Sequence, residues 1–184
     1  MNFWKMAGFL FYLVEYVRNK SLGAYWSDRI KKRAGLVGSI SINGPVQVYG
    51  CENIQIGDNV HIGGGAFIVG DGGLSIGDNT HISRNLTLYT RNHNYKGKKL
   101  PYDETQMLRE VVIGRNVWIG MNVTVLPGAR IGDGCIIGAG SVIYGELDKY
   151  SIVGAASYNK LGARDEEHYK KLDSNGCYGR QDGK

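Results

Sequence analysis

The chain has 184 residues, 42% of them hydrophobic, which suits a single domain with one core. Its 22 basic and 17 acidic residues give a formal net charge of +5, and residues 1–35 alone account for all of that excess. The rest of the chain is therefore neutral overall, which argues against nucleic-acid binding, because that function needs a basic stripe or groove. The three cysteines are widely spaced and odd in number, as is typical of a reduced cytoplasmic protein without a disulfide framework.

The first segment, residues 1–35, is predicted to be helical and is apolar on nearly every side from Phe3 to Val17. This apolar stretch of about 15 residues is shorter than the roughly 20 residues that span a bilayer. No small-residue cleavage site follows it, which disfavours a signal peptide. Two interpretations stay open. The helix packs on the coil stack or on a partner subunit, or it lies in a membrane interface, with the protein on the inner face of the membrane.

An aliphatic residue recurs every six positions through most of the chain. Its longest unbroken run is Ile113, Ile119, Val125, Ile131, Ile137 and Ile143. Earlier the beat restarts at Ile56 and again 20 residues later at Ile76, so one unit holds three short faces. Such a period is typical of stacked parallel coils, each of which buries its aliphatic column only against its neighbours. The pattern predicts an all-β fold, a parallel β-helix of about five coils over residues 36–164, with a short C-terminal helix or tail at 165–184.

Stacking of the coils also predicts which residues become neighbours on the outside. An outward column is expected to hold Ser41, His61, His81, Trp118 and Ile136, so that His81 and Trp118 lie side by side. Gly, Asn and Asp crowd the positions after each aliphatic residue, where left-handed backbone turns the corner of a coil. Asp78 is one of these corner residues, as are Asp58 and Asp133.

The one long interruption of the repeat is a predicted excursion loop at residues 89–112. A stack of six-residue faces gains nothing from such an insertion, and long loops on compact folds are usually functional. The loop carries His93 between Asn92 and Asn94. Histidine changes its charge near neutral pH, which suits a general base in catalysis.

Three segments after the loop carry a specific resemblance: Trp118-Ile119-Gly120, Pro127-Gly128 and Ile137-Gly138-Ala139-Gly140-Ser141-Val142. With the loop histidine they are similar to the hexapeptide-repeat acyltransferases, most of all to sugar O-acetyltransferases of the galactoside/maltose type and their relatives in surface-polysaccharide synthesis. The resemblance implies a left-handed β-helix and an enzyme that transfers acetyl from acetyl-CoA, without a metal, to a sugar or glycan hydroxyl. It also implies a homotrimer with active sites at the subunit interfaces.

The resemblance also assigns residues to a site. His93 matches the catalytic histidine and would act as general base for the acceptor hydroxyl. Candidates for acceptor contacts are Asp78, His81 and Asn92. The CoA donor is expected along a groove lined by Trp118, Gly120, Gly138 and Ala139, with Lys160 and Arg164 near its phosphates. The chain departs from the family at this phosphate end, where Tyr144, Gly145 and Asn159 replace a threonine and two lysines.

Three other functions stay open as alternatives. An N-acyltransferase of a sugar-nucleotide amine would use the same fold and the same base. A zinc enzyme of the γ-carbonic-anhydrase type needs three ligating histidines, two of them close in sequence, whereas His61, His81 and His93 are 20 and 12 residues apart, which disfavours it. A non-catalytic scaffold subunit would have no use for a histidine on the loop.

Overall fold

The computed structural model describes residues 2–34 and 39–154, together with the isolated positions 167, 170 and 174, which are helical. The first aliphatic residue of the repeat, Leu36, and the predicted phosphate contacts Lys160 and Arg164 lie outside the described residues. So does most of the predicted tail at 165–184. Within the described ranges the chain forms one long helix followed by a stack of short strands.

The helix is α1 (Phe3–Ala34). The strands in chain order are β1 (Ile40–Asn43), β2 (Gln47–Tyr49), β3 (Ile54–Ile56), β4 (Val60–Gly63), β5 (Phe67–Val69), β6 (Leu74–Ile76), β7 (His81–Ile82), β8 (Thr87–Tyr89), β9 (Arg91–His93), β10 (Gln106–Leu108), β11 (Val111–Ile113), β12 (Trp118–Ile119), β13 (Thr124–Val125), β14 (Arg130–Ile131), β15 (Ile136–Ile137), β16 (Val142–Ile143), β17 (Glu146–Leu147) and β18 (Ile152–Val153). A short 3₁₀ turn, Cys51–Asn53, precedes β3.

Sixteen of these strands form the three parallel sheets of a β-helix. Face A holds β1, β4, β7, β12, β15 and β18; face B holds β2, β5, β8, β13 and β16; face C holds β3, β6, β11, β14 and β17. The described chain therefore makes five complete coils and the first strand of a sixth. This confirms the β-helix of about five coils that the six-residue period predicts. The predicted excursion loop contains the two remaining strands, which form an antiparallel hairpin between face B and face C of the third coil.

The core is the aliphatic column that the repeat places inside the coils. On face A, Ile62, Ile82, Ile119 and Ile137 are stacked in register, and each is at most 1% exposed. A fully buried isoleucine contributes about 1.5–3 kcal/mol relative to an exposed one, so the column stabilises every coil against its neighbours. Corner asparagines such as Asn59 adopt a positive φ of 54°, and its side-chain amide donates to the carbonyl oxygen of the Asn79 side chain one coil on.

The helix α1 covers the open end of the first coil with its C-terminal half only. Ile30 is 1% exposed in the core cluster, and a Cβ on Gly23 would overlap the carbonyl oxygen of Ile42. A glycine is needed there because helix and strand approach so closely. The C-terminal half of α1 therefore packs on the coil stack, whereas the large apolar side chains of Phe3–Val17 are exposed and the predicted packing of that segment on the coil stack is wrong. Within the described residues no helix is long and apolar enough to cross a membrane.

Candidate active site

The excursion between face B and face C is an ordered hairpin. Strands β9 and β10 pair antiparallel with Gln106 opposite His93, and the turn between them is closed by Asp103. The Asp103 carboxylate accepts the backbone N–H groups of Lys98 at 2.8 Å and Thr105 at 3.0 Å. The Thr105 hydroxyl also donates to this carboxylate. The hydroxyl bond first, and then the two N–H bonds, lower the pKa of the Asp103 carboxyl. The insertion therefore presents His93 from a strand, which holds a side chain more rigidly than an irregular loop does.

The base of the hairpin is fastened to the second coil by Thr90. This residue is fully buried; its hydroxyl donates to the carbonyl of Val69 at 2.9 Å and accepts the N–H of Gly72 at 2.8 Å. On the exposed side, the Arg91 guanidinium lies 3.3 Å from the Asp71 carboxylate. His93 is thus separated by only two residues from a buried anchor.

The imidazole of His93 is exposed and lies at the rim of a cavity of about 330 Å³. Its ring stacks on Tyr102 from the segment that connects the two strands of the hairpin, with centroids 3.8 Å apart and planes 15° apart. Within the described residues neither ring nitrogen has a hydrogen-bond partner. The other cavity walls come from the hairpin and from face B: Phe67, Val69, Tyr89, Arg91, Asn92, Gln106, Leu126 and Pro127. A reacting group in the cavity can therefore meet an unengaged imidazole nitrogen.

An aromatic ladder leads along face B to this cavity. The rings of Tyr49 and Phe67 are 5.8 Å apart, and those of Phe67 and Tyr89 are 5.7 Å apart. The outer rings remain accessible, with Tyr49 51% and Tyr89 37% exposed. The predicted acceptor residue Asn92 lies beside the ladder, where its side-chain oxygen accepts the backbone N–H of His93 at 2.9 Å. The cavity thus combines flat apolar faces with amide groups, the usual composition of a small-molecule site.

The outward column on face A is confirmed by the strand register. Ser41 pairs with His61, His61 with His81, His81 with Trp118, and Trp118 with Ile136. The rings of His61 and His81 are 5.6 Å apart. Burial, and secondarily the charge of His81, lower the pKa of the His61 imidazole. Trp118 is 57% exposed beside His81, so its indole face is open to a ligand.

The glycines of the predicted donor groove have a structural reason of their own. A Cβ on Gly120 would lie 2.7 Å from the backbone nitrogen of Ala139, and one on Gly138 would lie 3.1 Å from the Cα of Gly154. Stacking of the coils therefore demands small residues there, whether or not a ligand approaches. By contrast, a Cβ on Gly140 would meet nothing within 4 Å, and this residue has a positive φ of 74°.

Asp78 occupies a coil corner between face C and face A, where its bonding is accounted for by the fold. One carboxylate oxygen accepts the N–H of Asp58 at 2.8 Å, and the other lies 3.3 Å from the Nε of Arg115. Asp58 and Asp133 do the same at their own corners, accepting the N–H groups of Ser39 at 2.6 Å and Arg115 at 3.0 Å. An acceptor role for Asp78 would be additional to this corner bond.

The predicted site residues fall into two groups on one chain. His93 and Asn92 lie at the edge between face B and face C, whereas the other group lies on face A and its two edges: Asp78, His81, Trp118, Gly120, Gly138 and Ala139. The structure does not bring the two groups together within a single copy. It adds Tyr102, Phe67, Tyr89 and Arg91, which the sequence interpretation missed. The outward positions of Phe67 and Tyr89 were readable from the strand period, but the contact of Tyr102 with His93 had no sequence signal.

In the part of the chain that the structure describes, no three His, Cys, Asp or Glu side chains are grouped so as to hold a metal ion.

Two segments of the chain match hexapeptide-repeat family models. Residues 53–90 match the hexapeptide repeat of succinyl-transferase, and residues 110–145 match the bacterial transferase hexapeptide of six repeats. The matches flank the hairpin and coincide with regular coils. No curated protein is significantly similar to the chain.

Solved structures share the fold over most of the chain. A hexapeptide-repeat acetyltransferase from Vibrio cholerae is 27% identical, with a TM-score of 0.62 over 77% of this chain and 81% of its own. The same protein complexed with acetyl coenzyme A aligns at 22% identity and TM-score 0.62, covering 77% and 82%. A maltose O-acetyltransferase from Clostridium difficile is 25% identical, with a TM-score of 0.60 over 78% and 82%.

An N-acyltransferase from Bacillus cereus, AntD, shares the fold at 20% identity and a TM-score of 0.51, covering 82% of this chain and 95% of its own. The matched repeats, the three-faced coils and the Vibrio and Clostridium structures together show that the chain contains hexapeptide repeats and has the left-handed β-helix fold seen in hexapeptide-repeat acetyltransferases.

Proposed function

We propose that the protein transfers an acetyl group from acetyl-CoA to a hydroxyl of a sugar or glycan, with His93 as the general base. The observation that carries the proposal is the position of His93, which an ordered hairpin holds at the rim of a cavity walled by aromatic and amide side chains. The likeness to the Vibrio and Clostridium acetyltransferases supports the reaction class and, through the maltose enzyme, a sugar acceptor.

The reaction needs one group that first accepts a proton as a base and then donates it as an acid. The acceptor oxygen attacks the carbonyl carbon of the thioester while an imidazole nitrogen of His93 removes the hydroxyl proton. The carbon–sulfur bond of the tetrahedral adduct then breaks, and the imidazolium returns that proton to the departing thiolate, which leaves as the thiol of CoA. The stack on Tyr102 holds the plane of the ring through both steps, because rotation of His93 would clash with the tyrosine face.

The separation of the two groups of site residues supports a shared active site. In a closed threefold ring each copy presents different surfaces to its two neighbours. We place the hairpin of one copy against face A of the next. His93 and Asn92 then meet Trp118 and His81 of the neighbour, together with the edge of face A that carries Gly120 and Gly138. Asp78, on the same side as Trp118, would then reach the acceptor from the second copy.

The aromatic ladder supports a carbohydrate acceptor. Sugar rings present flat faces of C–H groups that pack on aromatic rings, and their hydroxyls bond to amides. Tyr49, Phe67 and Tyr89 offer three successive rings, and Asn92 and Gln106 offer the amides. A surface of this length fits a polysaccharide or its precursor better than a single small amine.

An acceptor screen tests the proposal. The purified protein is incubated with acetyl-CoA and either glycans with free hydroxyls or amino-sugar nucleotides, and released thiol and acetylated product are measured. We expect transfer to the glycans, with Phe67→Ala raising KM for the glycan more than it lowers kcat. Transfer confined to the amines would instead establish an N-acyltransferase, and the absence of transfer from acetyl-CoA to any acceptor would contradict the proposal.

A further inference from the structure

The N-terminal half of α1 carries a continuous apolar surface that no described residue covers. Its six residues Phe9–Val14 are all large and apolar, and each is 45–68% exposed. Phe3, Trp4, Met6, Tyr16 and Val17 extend the same surface and are likewise at least 45% exposed. Exposed apolar surface on this scale marks a site of interaction with a partner or a membrane.

The distribution of these side chains around the helix distinguishes between a helical partner and lipid. Successive residues of an α-helix are turned by about 100°, so six consecutive apolar residues leave no polar face. A second copy of the helix would cover only a stripe and leave the remaining apolar side chains in water. Lipid surrounds a helix on every side, and a helix that is apolar all round is buried on every side.

Basic residues border this segment at both ends. Lys5 lies in the first turn of the helix, and Arg18 and Lys20 follow the apolar segment directly. Arg18 and Lys20 also line, with Arg84 and His61, an open cavity of about 860 Å³ between α1 and the first coils. Glu15 is the one acidic residue of Phe3–Lys20, and its carboxylate lies 2.7 Å from the Arg18 guanidinium. The charge of both ends therefore matches anionic lipid headgroups.

We propose that Phe3–Val17 embed in one leaflet of an anionic lipid bilayer and hold the β-helix at the membrane surface. The segment is about 22 Å long at the helical rise, which is shorter than the roughly 30 Å hydrocarbon core but longer than one leaflet of about 15 Å, so it stays within one leaflet by lying nearly parallel to the membrane plane. Lys5 reaches back to the headgroups along its aliphatic stem, while Arg18 and Lys20 contact them where the helix leaves the lipid.

Vesicle flotation of the full-length protein tests this placement. The vesicles are phosphatidylcholine with or without about 30% phosphatidylglycerol. We expect the wild type to float with the anionic vesicles. In a variant whose sole tryptophan is Trp4, we expect brominated acyl chains to quench the tryptophan fluorescence. The double variant Leu10→Gln/Phe11→Gln should lower partitioning about a hundredfold, because two buried apolar side chains are lost without a change in charge.

A matched control is Val142→Gln, which replaces an equally exposed apolar residue on the last complete coil, and it should float like the wild type. Equal flotation of the double variant and the wild type would overturn the proposal, as would a wild type that stays out of both kinds of vesicle. Loss of oligomer mass by the double variant, without vesicle binding by the wild type, would identify the segment as a subunit contact and reject the lipid. None of these readouts depends on acetyl transfer.

Discussion

His93 derives its candidate role from two neighbours, one that orients it and one that anchors it. Tyr102 stacks on one face of the imidazole, and Thr90 ties the strand to the buried coil wall. An exposed histidine held in this way keeps its nitrogens available to a substrate proton while it loses rotational freedom. This pre-organisation is what a general base requires, because a base that must first find its orientation slows the transfer.

Replacement of His93 by alanine should lower kcat by roughly two to four decades, the usual span for a positioned acid–base group. The dissociation constant for CoA should stay nearly unchanged, because the imidazole is assigned to the proton and not to the donor. Steady-state kinetics and calorimetric CoA binding measure the two effects. Tyr95→Ala is the control, since that exposed ring lies on the same hairpin outside the cavity.

Near wild-type turnover by the alanine variant would leave the mechanism without its base.

His61 predicts a pH dependence of stability. Burial and the neighbouring His81 lower the pKa of its imidazole below the ordinary 6.5, so the unfolded chain binds a proton that the folded chain resists. This contribution to stability is fully present above pH 6.5 and is lost as the pH falls from 6.5 through the lowered pKa. We expect the thermal midpoint of the wild type to decrease over this window, and that of His61→Gln to decrease less. The thermal midpoints of both proteins are compared between about pH 7.5 and pH 5, the range around the histidine transition. Equal decreases of the two midpoints over this range would contradict this role of His61.

At the scale of elements, the hairpin depends on hydrogen bonds and not on hydrophobic packing. Strands β9 and β10 are almost wholly exposed, so their placement rests on the buried Thr90 and on the Asp103 turn. The hairpin is therefore held at its base by one buried hydroxyl and at its turn by the Asp103 carboxylate.

Thr90→Val should therefore destabilise the protein by about 1–3 kcal/mol, because the change leaves the Val69 carbonyl and the Gly72 N–H without the threonine hydroxyl. Thermal unfolding measures the loss. Thr87→Val is the matched control on the adjoining strand, since within the described residues the Thr87 hydroxyl forms no hydrogen bond. A valine variant at position 90 as stable as the Thr87 variant would show that the anchor lies elsewhere.

The two halves of helix α1 differ in burial. Removal of the whole segment would uncover the first coil, because Ile30 and Gly23 pack against it. A truncation that tests the apolar segment must therefore stop before Gly23, so that the end of the core remains covered. The polar substitutions at Leu10 and Phe11 satisfy this condition.

At the scale of the whole molecule, the proposed active site is completed by a second copy. Light scattering should give a mass near three times the 20.2 kDa chain. A protein that remains a monomer at every concentration would exclude both the trimer and the shared site.

Complementation gives a sharper test of the shared site. His93→Ala and Trp118→Ala copies, each impaired alone at low acetyl-CoA, should regain about a quarter of wild-type turnover when they are refolded together, because random threefold mixing leaves one intact site in each mixed trimer. Recovery is measured against mixtures of separately folded proteins. Mixed trimers that show no recovery would place His93 and Trp118 in the same copy.

Much of this architecture was readable without coordinates, because it is periodic. Each coil repeats the same local backbone geometry, so the spacing of Ile113 to Ile143 predicted the three faces and the buried aliphatic column. The same spacing predicted that His81 and Trp118 are neighbours on the outside. The interruption of that period singled out His93 as well. What a period cannot contain is a contact between parts of the chain that do not repeat.

Only the tertiary structure decided those contacts. Tyr102 meets His93 across a hairpin turn, and nothing in their nine-residue separation specifies a stack. Gly120 and Gly138 must be small because adjacent coils approach closely. From the sequence alone, the same glycines are explained equally well by the close approach of a ligand. His93 lies at the edge between faces B and C, whereas Trp118 lies on face A, and this separation depends on how far each face turns. The exposure of Phe9–Val14 depends on where the helix leaves the stack. These are properties of three-dimensional packing, which distant residues determine jointly.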